Sequence, residues 1–255
     1  AENYCELQST SDQRGGKLIT LLGQNVNSWR EGDRDFADLL ENLCSIKGDF
    51  WINFLSSNPM DFSDKLINVI GDRPEIMKWV NLAVQSGSDR ILKLMNRKYT
   101  VDDFKEIALK LRERVPNFRL TTDIIVGFPG ETDRDFNKSL MLVKDMELEM
   151  VYVGKYSPRP GTLSAKSLKD NIPLEVKEGR EEMLKKAVNE IRRKKHKSLI
   201  GAQMKVLVTS PSHAVSYYNH DIKFQKPVDK GKVGKFVKDE IIDSTVSGLK
   251  SVILS

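Results

Sequence analysis

The sequence predicts an α/β fold with a parallel sheet, followed by a small all-β unit. Three observations carry this. Short apolar runs alternate with helical patterns through about the first 160 residues, and parallel strands joined by right-handed helical crossovers are the fold that alternation produces. Each run is followed by a small, polar loop. Past Thr162 the alternation gives way to one long charged helix and then to short strand-like runs separated by Gly, Pro, Ser and Asn, the pattern of a small β-barrel or sandwich.

The strand candidates are KLITLL (17–22), FWINFL (50–55), WVNLAV (79–84), LTTDIIV (120–126) and MVYVGKY (150–156), all rich in branched or aromatic side chains. Between them, Phe36, Leu39, Leu40 and Leu43 mark one helix, and Leu66, Ile67 and Ile70 a shorter one. Phe104, Ile107, Ala108 and Leu111 mark another, and Phe136, Leu140 and Val143 the last, each with a single apolar stripe. Asn96 and Arg97 end a short helix over 89–95. Five strands are too few for a closed eight-stranded barrel and fit an open doubly wound sheet or part of a barrel. The segment IPLEVKEGREEMLKKAVNEIRRKKHKSLIG reads as one helix, with Pro173 in its first turn and Leu184, Ala187, Val188 and Ile191 on its apolar face. MKVLVTS, DIKFQKPV, GKFVKDEIID and LKSVILS are then strands of a unit of about 55 residues.

Ligands of parallel α/β folds bind at the carboxyl ends of the strands. The loops there read GQNVNS (23–28), SSNPMDF (56–62), QSGSD (85–89), GFPGET (127–132) and SPRPGT (157–162). In the fourth, the chain leaves its strand at Gly127, turns at Pro129 and Gly130, and restarts as a helix after Thr132, with Thr132 and Asp135 at capping-box spacing.

Charge and cysteine content narrow the class. The net charge is +5, yet residues 185–255 hold 15 Lys/Arg against 6 Asp/Glu, leaving 26 against 30 for residues 1–184. The surplus, with the run Arg192, Arg193, Lys194, Lys195 and Lys197, suits a polyanion such as RNA. Cations in a last helical turn also complement the helix dipole on their own. No run of 18 apolar residues exists and no charged-then-apolar leader opens the chain, so no membrane span and a cytoplasmic location are expected. Cys5 and Cys44 read as free thiols, Cys44 on an apolar helix face. His196, His213 and His220 lie away from the loops and show no metal-ligand spacing with cysteines, so no metal ligands are assigned. Neither a G-x-S-x-G elbow nor a phosphate-binding G-x-x-x-x-G-K-[ST] loop occurs.

In this order and spacing, LLGQNVNSW, AVQSGSDRILKLMNRKYT, TTDIIVGFPGET and YSPRPGT resemble the methylthiotransferases of the radical S-adenosylmethionine (SAM) superfamily, and among them the tRNA-2-methylthio-N6-dimethylallyladenosine synthases. Residues 198–255, with GKFVKDEIIDSTVSGLKSVIL, resemble the TRAM domain that closes those enzymes. The resemblance runs from about residue 17 to 255. It implies an incomplete parallel (β/α) barrel of radical-SAM type, with about five of six strands in residues 15–170, a connecting helix over 171–197 and a TRAM-like RNA-binding domain over 198–255. Residues 1–14 are then a divergent or non-native leader. It further implies SAM and [4Fe-4S] clusters as cofactors, tRNA as partner, and replacement of a C–H bond at carbon 2 of an N6-isopentenyladenosine by a methylthio group. By match to family motifs, Gln24 and Asn25 would hold the methionine moiety, and Gln85 and Ser86 would face the ribose. Backbone groups of Ile125, Val126 and Gly127 would flank the adenine, and Arg159 would reach SAM or the substrate base. Asp123, in mid-strand, is either a group that points into the site or a satisfied core carboxylate.

The chain departs from that family in one decisive respect. The C-x-x-x-C-x-x-C run that ligates the cluster is absent, and neither Cys5 nor Cys44 replaces it. Asn81 and Ala83 stand where the family usually has His and Pro, and Asn58 where His is frequent. These residues alone are therefore expected not to cleave SAM, and a cluster-binding segment outside them is the implied partner. Two alternatives stay open: a non-catalytic tRNA-binding remnant, and a methylthiotransferase acting on a ribosomal protein.

Overall fold

The computed structural model describes residues 6–9, 16–159 and 168–254. Strand β1 (Glu6–Ser9) pairs antiparallel with β2 (Leu18–Leu22); the sequence reading held no strand there. A small hairpin, β3 (Arg30–Glu31) and β4 (Arg34–Asp35), leads into helix α1 (Phe36–Cys44). Strand β5 (Trp51–Phe54), helix α2 (Asp64–Asp72), strand β6 (Trp79–Asn81) and helices α3 (Asp89–Leu94) and α4 (Val101–Arg114) follow. Strand β7 (Arg119–Val126), helix α5 (Asp133–Asp145) and strand β8 (Met150–Lys155) complete the first unit.

All five expected strands form and run parallel: β2 pairs with β5, β6 with β7, and β7 with β8. Between β5 and β6 the ladder is reduced to the bridges Ile52↔Ile76 and Ser57↔Leu82. Side chains alternate across a strand and paired residues share a face, so the register sorts them. One face carries Leu21, Ile52, Phe54, Val80, Leu82, Leu120, Ile124 and Val126, all buried in one core. The stripes of α1, α2, α4 and α5 pack on it, with Phe36, Leu40, Leu66, Ile70, Phe104, Leu111 and Phe136 each almost fully buried. Cys44 lies in that core, and its thiol is pushed up to about 11 by desolvation.

Helices α1, α2, α4 and α5 start on side-chain caps, whereas α3 has none. Asp35, Thr100 and Thr132 form capping boxes with Asp38, Asp103 and Asp135, so the spacing seen at Thr132 and Asp135 is realised. The long helix α6 (Leu174–Ser198) begins one residue after Pro173, and Leu184, Ala187 and Val188 are buried as its stripe predicts. Beyond it, β9 (Gln203–Ser210), β10 (His213–Ser216), β11 (Asp221–Phe224), β12 (Phe236–Ser244) and β13 (Leu249–Ile253) close into a five-stranded barrel in the order β10-β11-β13-β12-β9. Its core is Val206, Val208, Ala214, Ile222, Phe224, Ile241 and Leu249. Strand β10, HAVS, was not among the sequence-derived strands; it is four residues long and half polar.

Barrel and sheet meet through the opposite face of the parallel sheet. There Trp51, Met77 and Trp79 pack with Leu207, Leu18, Val215, Tyr217 and Phe236. The Trp51 ring lies 4.5 Å from that of Phe236 and 5.3 Å from that of Tyr217. Lys78 N donates to Tyr217 O at 3.1 Å, and Tyr217 Oη to Pro74 O at 2.8 Å. The small barrel therefore floors the amino end of this inner face and leaves its carboxyl end to the loops.

Candidate functional site

The inner face changes character along the strands. At the amino end it is Leu18, Trp51 and Trp79, while one step further it is Thr20, Asn53, Asn81, Thr121, Asp123 and Tyr152, as the pairings Thr20↔Asn53, Asn81↔Thr121 and Asp123↔Tyr152 require. Asn81 Nδ2 donates to Thr121 Oγ1 at 3.3 Å and to Asp123 Oδ2 at 3.2 Å. Burial raises the Asp123 carboxyl above its ordinary range, and the Asn81 bond only partly offsets it. Asn53 is 7% exposed with an unpartnered Oδ1. Tyr152, half exposed, opens this polar layer to solvent.

Above the layer, backbone and side-chain bonds link the strand tips in sequence. Asn27 Nδ2 donates to Asn58 O at 2.9 Å and Asn58 N to Asn27 Oδ1 at 2.8 Å, joining the β2 and β5 loops. Ser57 N donates to Asn81 O and Ala83 N to Ser57 O, both at 3.1 Å. Gln85 N donates to Asp123 O at 2.8 Å, Ile125 N to Gln85 O at 2.9 Å, and Tyr156 N to Val126 O at 2.9 Å. The loops carrying Gln24, Asn25, Gln85 and Gly127 thus share one carboxyl edge. Three of the five tips hold a residue in the left-handed region: Ser56 (φ 63°), Gln85 (φ 69°) and Gly127 (φ 70°). For serine and glutamine that conformation is strained, and such strain concentrates at functional loops.

Individual residues differ in what they leave available. Asn25 Nδ2 donates to Asp61 Oδ2 at 2.7 Å while its buried Oδ1 has no partner; Ser57 Oγ is likewise buried and unpartnered. Gln24 is exposed and Gln85 half-buried. Ser86 is fully buried, and its hydroxyl accepts from Ser88 N at 3.2 Å in the turn that starts α3. Ile125 is half-buried on the inner face, whereas Val126 turns into the helix-side core. Arg159 is exposed, and residues 160–162 of the SPRPGT loop lie outside the described residues.

The turn at Gly127 is filled by the chain itself. Gly127 N donates to Glu131 Oε2 at 2.7 Å. Arg180 of α6 donates to the same oxygen at 2.7 Å through Nη1 and to Asp133 Oδ1 at 2.8 Å through Nη2. A Cβ built on Gly127 would lie 2.3 Å from Lys177 Cγ. The ammonium of Lys177 is held by Asp170 at 2.7 Å and by Tyr156 O at 3.1 Å. The close approach that glycine permits here is made by Lys177, and the turn fastens the start of α6. Both Lys177 and Arg180 are buried, and sequence reasoning passed over them because lone cations on a charged helix read as solvated.

The basic run divides by helix period. Arg192 and Lys195 turn inward, and burial lowers the pKa of both; Arg192 Nε donates to Glu149 O at 2.7 Å. Arg193, Lys194 and Lys197 are exposed. Lys194 Nζ lies 3.6 Å from Glu147 Oε1, so Arg193 and Lys197 are the run's exposed cations for which no carboxylate partner is seen among the described residues, and Arg192 and Lys195 are half-buried. Cys5 lies outside the described residues, and Cys44 is enclosed in the core, so these residues do not provide a thiolate set for an iron–sulfur cluster. Among the described residues, no helix is long and apolar enough to cross a membrane.

A parallel sheet with a polar inner layer and strained, hydrogen-bonded tips at its carboxyl edge places this chain among the α/β folds, in which ligands as a class bind at that edge. The radical SAM superfamily model matches residues 6–143, and the chain belongs to that superfamily. It is 42% identical over 226 residues to a tRNA-2-methylthio-N(6)-dimethylallyladenosine synthase of Clostridium novyi, covering 88% of this chain and 49% of that protein. It is 36% identical over 251 residues to the synthase of Stutzerimonas stutzeri, covering 95% and 57%. The chain thus spans about half the length of the curated relatives it matches. Among solved structures, coproporphyrinogen III oxidase (HemN) of Escherichia coli, a radical SAM enzyme, superposes with a TM-score of 0.50 at 13% identity over 85% of this chain and 55% of that one, a likeness of fold.

Proposed function

We propose that these residues form the SAM- and tRNA-binding portion of a tRNA methylthiotransferase acting on carbon 2 of an N6-isopentenyladenosine. The observation that carries the reading is the linked carboxyl edge over the inner layer of Asn53, Asn81 and Asp123, with the buried acceptors Asn25 Oδ1, Asn53 Oδ1 and Ser57 Oγ unpartnered. Buried polar atoms without partners are costly unless a ligand or water completes them. That donor and acceptor set fits SAM, whose ammonium and ribose hydroxyls need acceptors and whose carboxylate needs donors. In this reading Gln24 and Asn25 take the methionine end, and Gln85, Asp123 and the backbone near Ile125, Val126 and Gly127 take the nucleoside. Ser86 shapes the turn beneath them, and Arg159 lies toward the substrate. SAM supplies, on reduction by a cluster, a 5′-deoxyadenosyl radical. The cluster does not fit the cysteines present, so no step is assigned to it here, and these residues bind, orient and shield.

The finer architecture belongs to the same proposal: residues 15–170 as an incomplete radical-SAM barrel, 171–197 as a connecting helix and 198–255 as a TRAM-like domain. Support comes from the five parallel strands and the closed five-stranded barrel. Arg193, Lys194 and Lys197, with the lysine-rich barrel, form the RNA-facing surface. Equilibrium dialysis with labelled SAM tests the core claim. Asp123→Ala removes a charged hydrogen-bonding group, for which a loss of about 10- to 100-fold in affinity is expected. SAM binding unchanged by Asp123→Ala and Asn81→Leu would sink the assignment of this edge.

A further inference from the structure

The junction between sheet, long helix and barrel contains a cluster that the SAM reading does not use. Glu149, just before β8, His196, in the last turn of α6, and His220, between β10 and β11, are all buried, with 6%, 2% and 7% exposure. One donor atom from each lies within 4.8 Å of the other two, and His220 Nε2 is 4.0 Å from Glu149 Oε1. The two imidazoles stand edge to face with centroids 5.8 Å apart.

Their outer hydrogen bonds fix which atoms face inward. His196 Nδ1 lies 2.8 Å from Thr245 O; a carbonyl can only accept, so Nδ1 carries the proton and Nε2 the lone pair. That Nε2 is buried with no partner. His220 places Nδ1 at 3.1 Å from Ser216 Oγ, which leaves Nε2 toward Glu149. Arg119 Nε donates to Glu149 Oε1 at 2.7 Å and orients the carboxylate. Imidazoles held by a carbonyl and a hydroxyl, beside a carboxylate held by an outer-shell donor, are the arrangement of metal-site ligands with their supporting bonds.

We propose that Glu149, His196 and His220 form a site for a zinc-class transition-metal ion. Two neutral imidazoles favour a borderline ion over magnesium or calcium, which seek oxygen. The cations nearby, Arg119, Arg192, Lys195 and Arg112, are opposed by Glu147 and Glu149; that field opposes any dication alike, so the choice of a borderline ion rests on the imidazole donors. Tetrahedral zinc at about 2.0–2.1 Å from each ligand sets its donors about 3.4 Å apart, so the cluster must close modestly around the ion, with water as fourth ligand. The ion would staple the small barrel and the end of α6 to the base of the sheet. A single buried water bridging the same atoms is the competing occupant.

The test uses the 255-residue chain after exhaustive chelation. Cobalt(II), then zinc(II), is titrated and followed by the visible d–d absorption, by metal retained through gel filtration and by the thermal midpoint. One equivalent with a tetrahedral cobalt spectrum, displaced by zinc and accompanied by a higher midpoint, is expected. His196→Gln and His220→Gln should each weaken binding by more than about 100-fold, since even outer-shell losses cost about 10- to 100-fold, whereas Cys44→Ser should leave it unchanged. No stoichiometric retention by the folded parent would overturn the proposal in favour of the water, whatever the variants do. Binding that survives both histidine variants would equally overturn it.

Discussion

Replacing Gly127 by alanine separates two reasons for a glycine at this turn. Its φ of 70° is a conformation that costs an alanine about 1–2 kcal/mol. The new Cβ would also sit 2.3 Å from Lys177 Cγ and 2.9 Å from its Cδ. Lys177 cannot simply swing away, because Asp170 holds its ammonium at 2.7 and 2.9 Å and Tyr156 O at 3.1 Å. Overpacking of that kind costs about 1–3 kcal/mol, so Gly127→Ala should destabilise by about 2–5 kcal/mol in urea unfolding. In a Lys177→Ala background the overlap is gone and only the backbone cost of about 1–2 kcal/mol should remain. A Gly127→Ala cost that is identical in both backgrounds, or below about 0.5 kcal/mol in the parent, would refute the packing account. If the glycine serves chiefly a nucleoside, SAM affinity would fall while stability held.

Other expectations follow from burial and charge. Arg192→Ala should lower stability by about 1–3 kcal/mol, through the orphaned Glu149 carbonyl, without altering the salt dependence of tRNA binding. Alanine at Arg193, Lys194 or Lys197 should each reduce that slope by about 0.7–0.9 where the side chain meets phosphate, read by filter binding across a salt series. Asp239, wholly enclosed in the small barrel, has its carboxyl pushed up to about 6 by desolvation. Because its folded pKa lies above the unfolded one, its contribution is full below about pH 4 and disappears as pH rises through about 6. Asp239→Asn should then stabilise at pH 8 by about 2–3 kcal/mol and flatten the thermal midpoint between pH 5 and 8. Asp135 behaves oppositely: burial opposes ionisation, but hydrogen bonds from Arg90, Thr132 and Ser88 hold its carboxyl well below the usual range. Its contribution is present above about pH 4 and is lost on further acidification, a loss that Asp135→Asn should abolish in acid-unfolding curves.

Most of the sheet and its helices could be read directly from the sequence, because period and composition act locally. Each of the five parallel strands lies in a short apolar run, and the stripe Phe104, Ile107, Ala108 and Leu111 is buried throughout. Thr132 with Asp135 announced a capping box three residues apart, and the box is there. What escaped depends on contacts across long separations. Lys177 and Arg180 lie two turns and one turn before the apolar stripe of α6 and on its face, yet a charged residue reveals burial only when its partner is known, here Asp170 and Glu131. The inward turn of Arg192 and Lys195 was accessible, since they stand eight residues after Leu184 and after Ala187 on the same stripe, but the cations of RRKKHK were taken together as one polyanion-facing run without being sorted by helix face. Glu149, His196 and His220 are drawn together from three elements by the docking of the barrel, and no short spacing encodes that.

That docking also explains the gradient along the inner face of the sheet. A parallel sheet covered by helices on one side must cover or wet the other. Here the amino half is sealed by Leu207, Val215, Tyr217 and Phe236 against Trp51, Met77 and Trp79. With the lower half dry, the polar layer of Asn53, Asn81 and Asp123 lies between an apolar floor and the strand tips, half-shielded from water. Desolvation is what raises the Asp123 carboxyl, and the same desolvation strengthens any hydrogen bond a ligand makes there. The small barrel therefore acts on the carboxyl edge without touching it: by excluding water from beneath, it sets the polarity of the layer where a ligand is held.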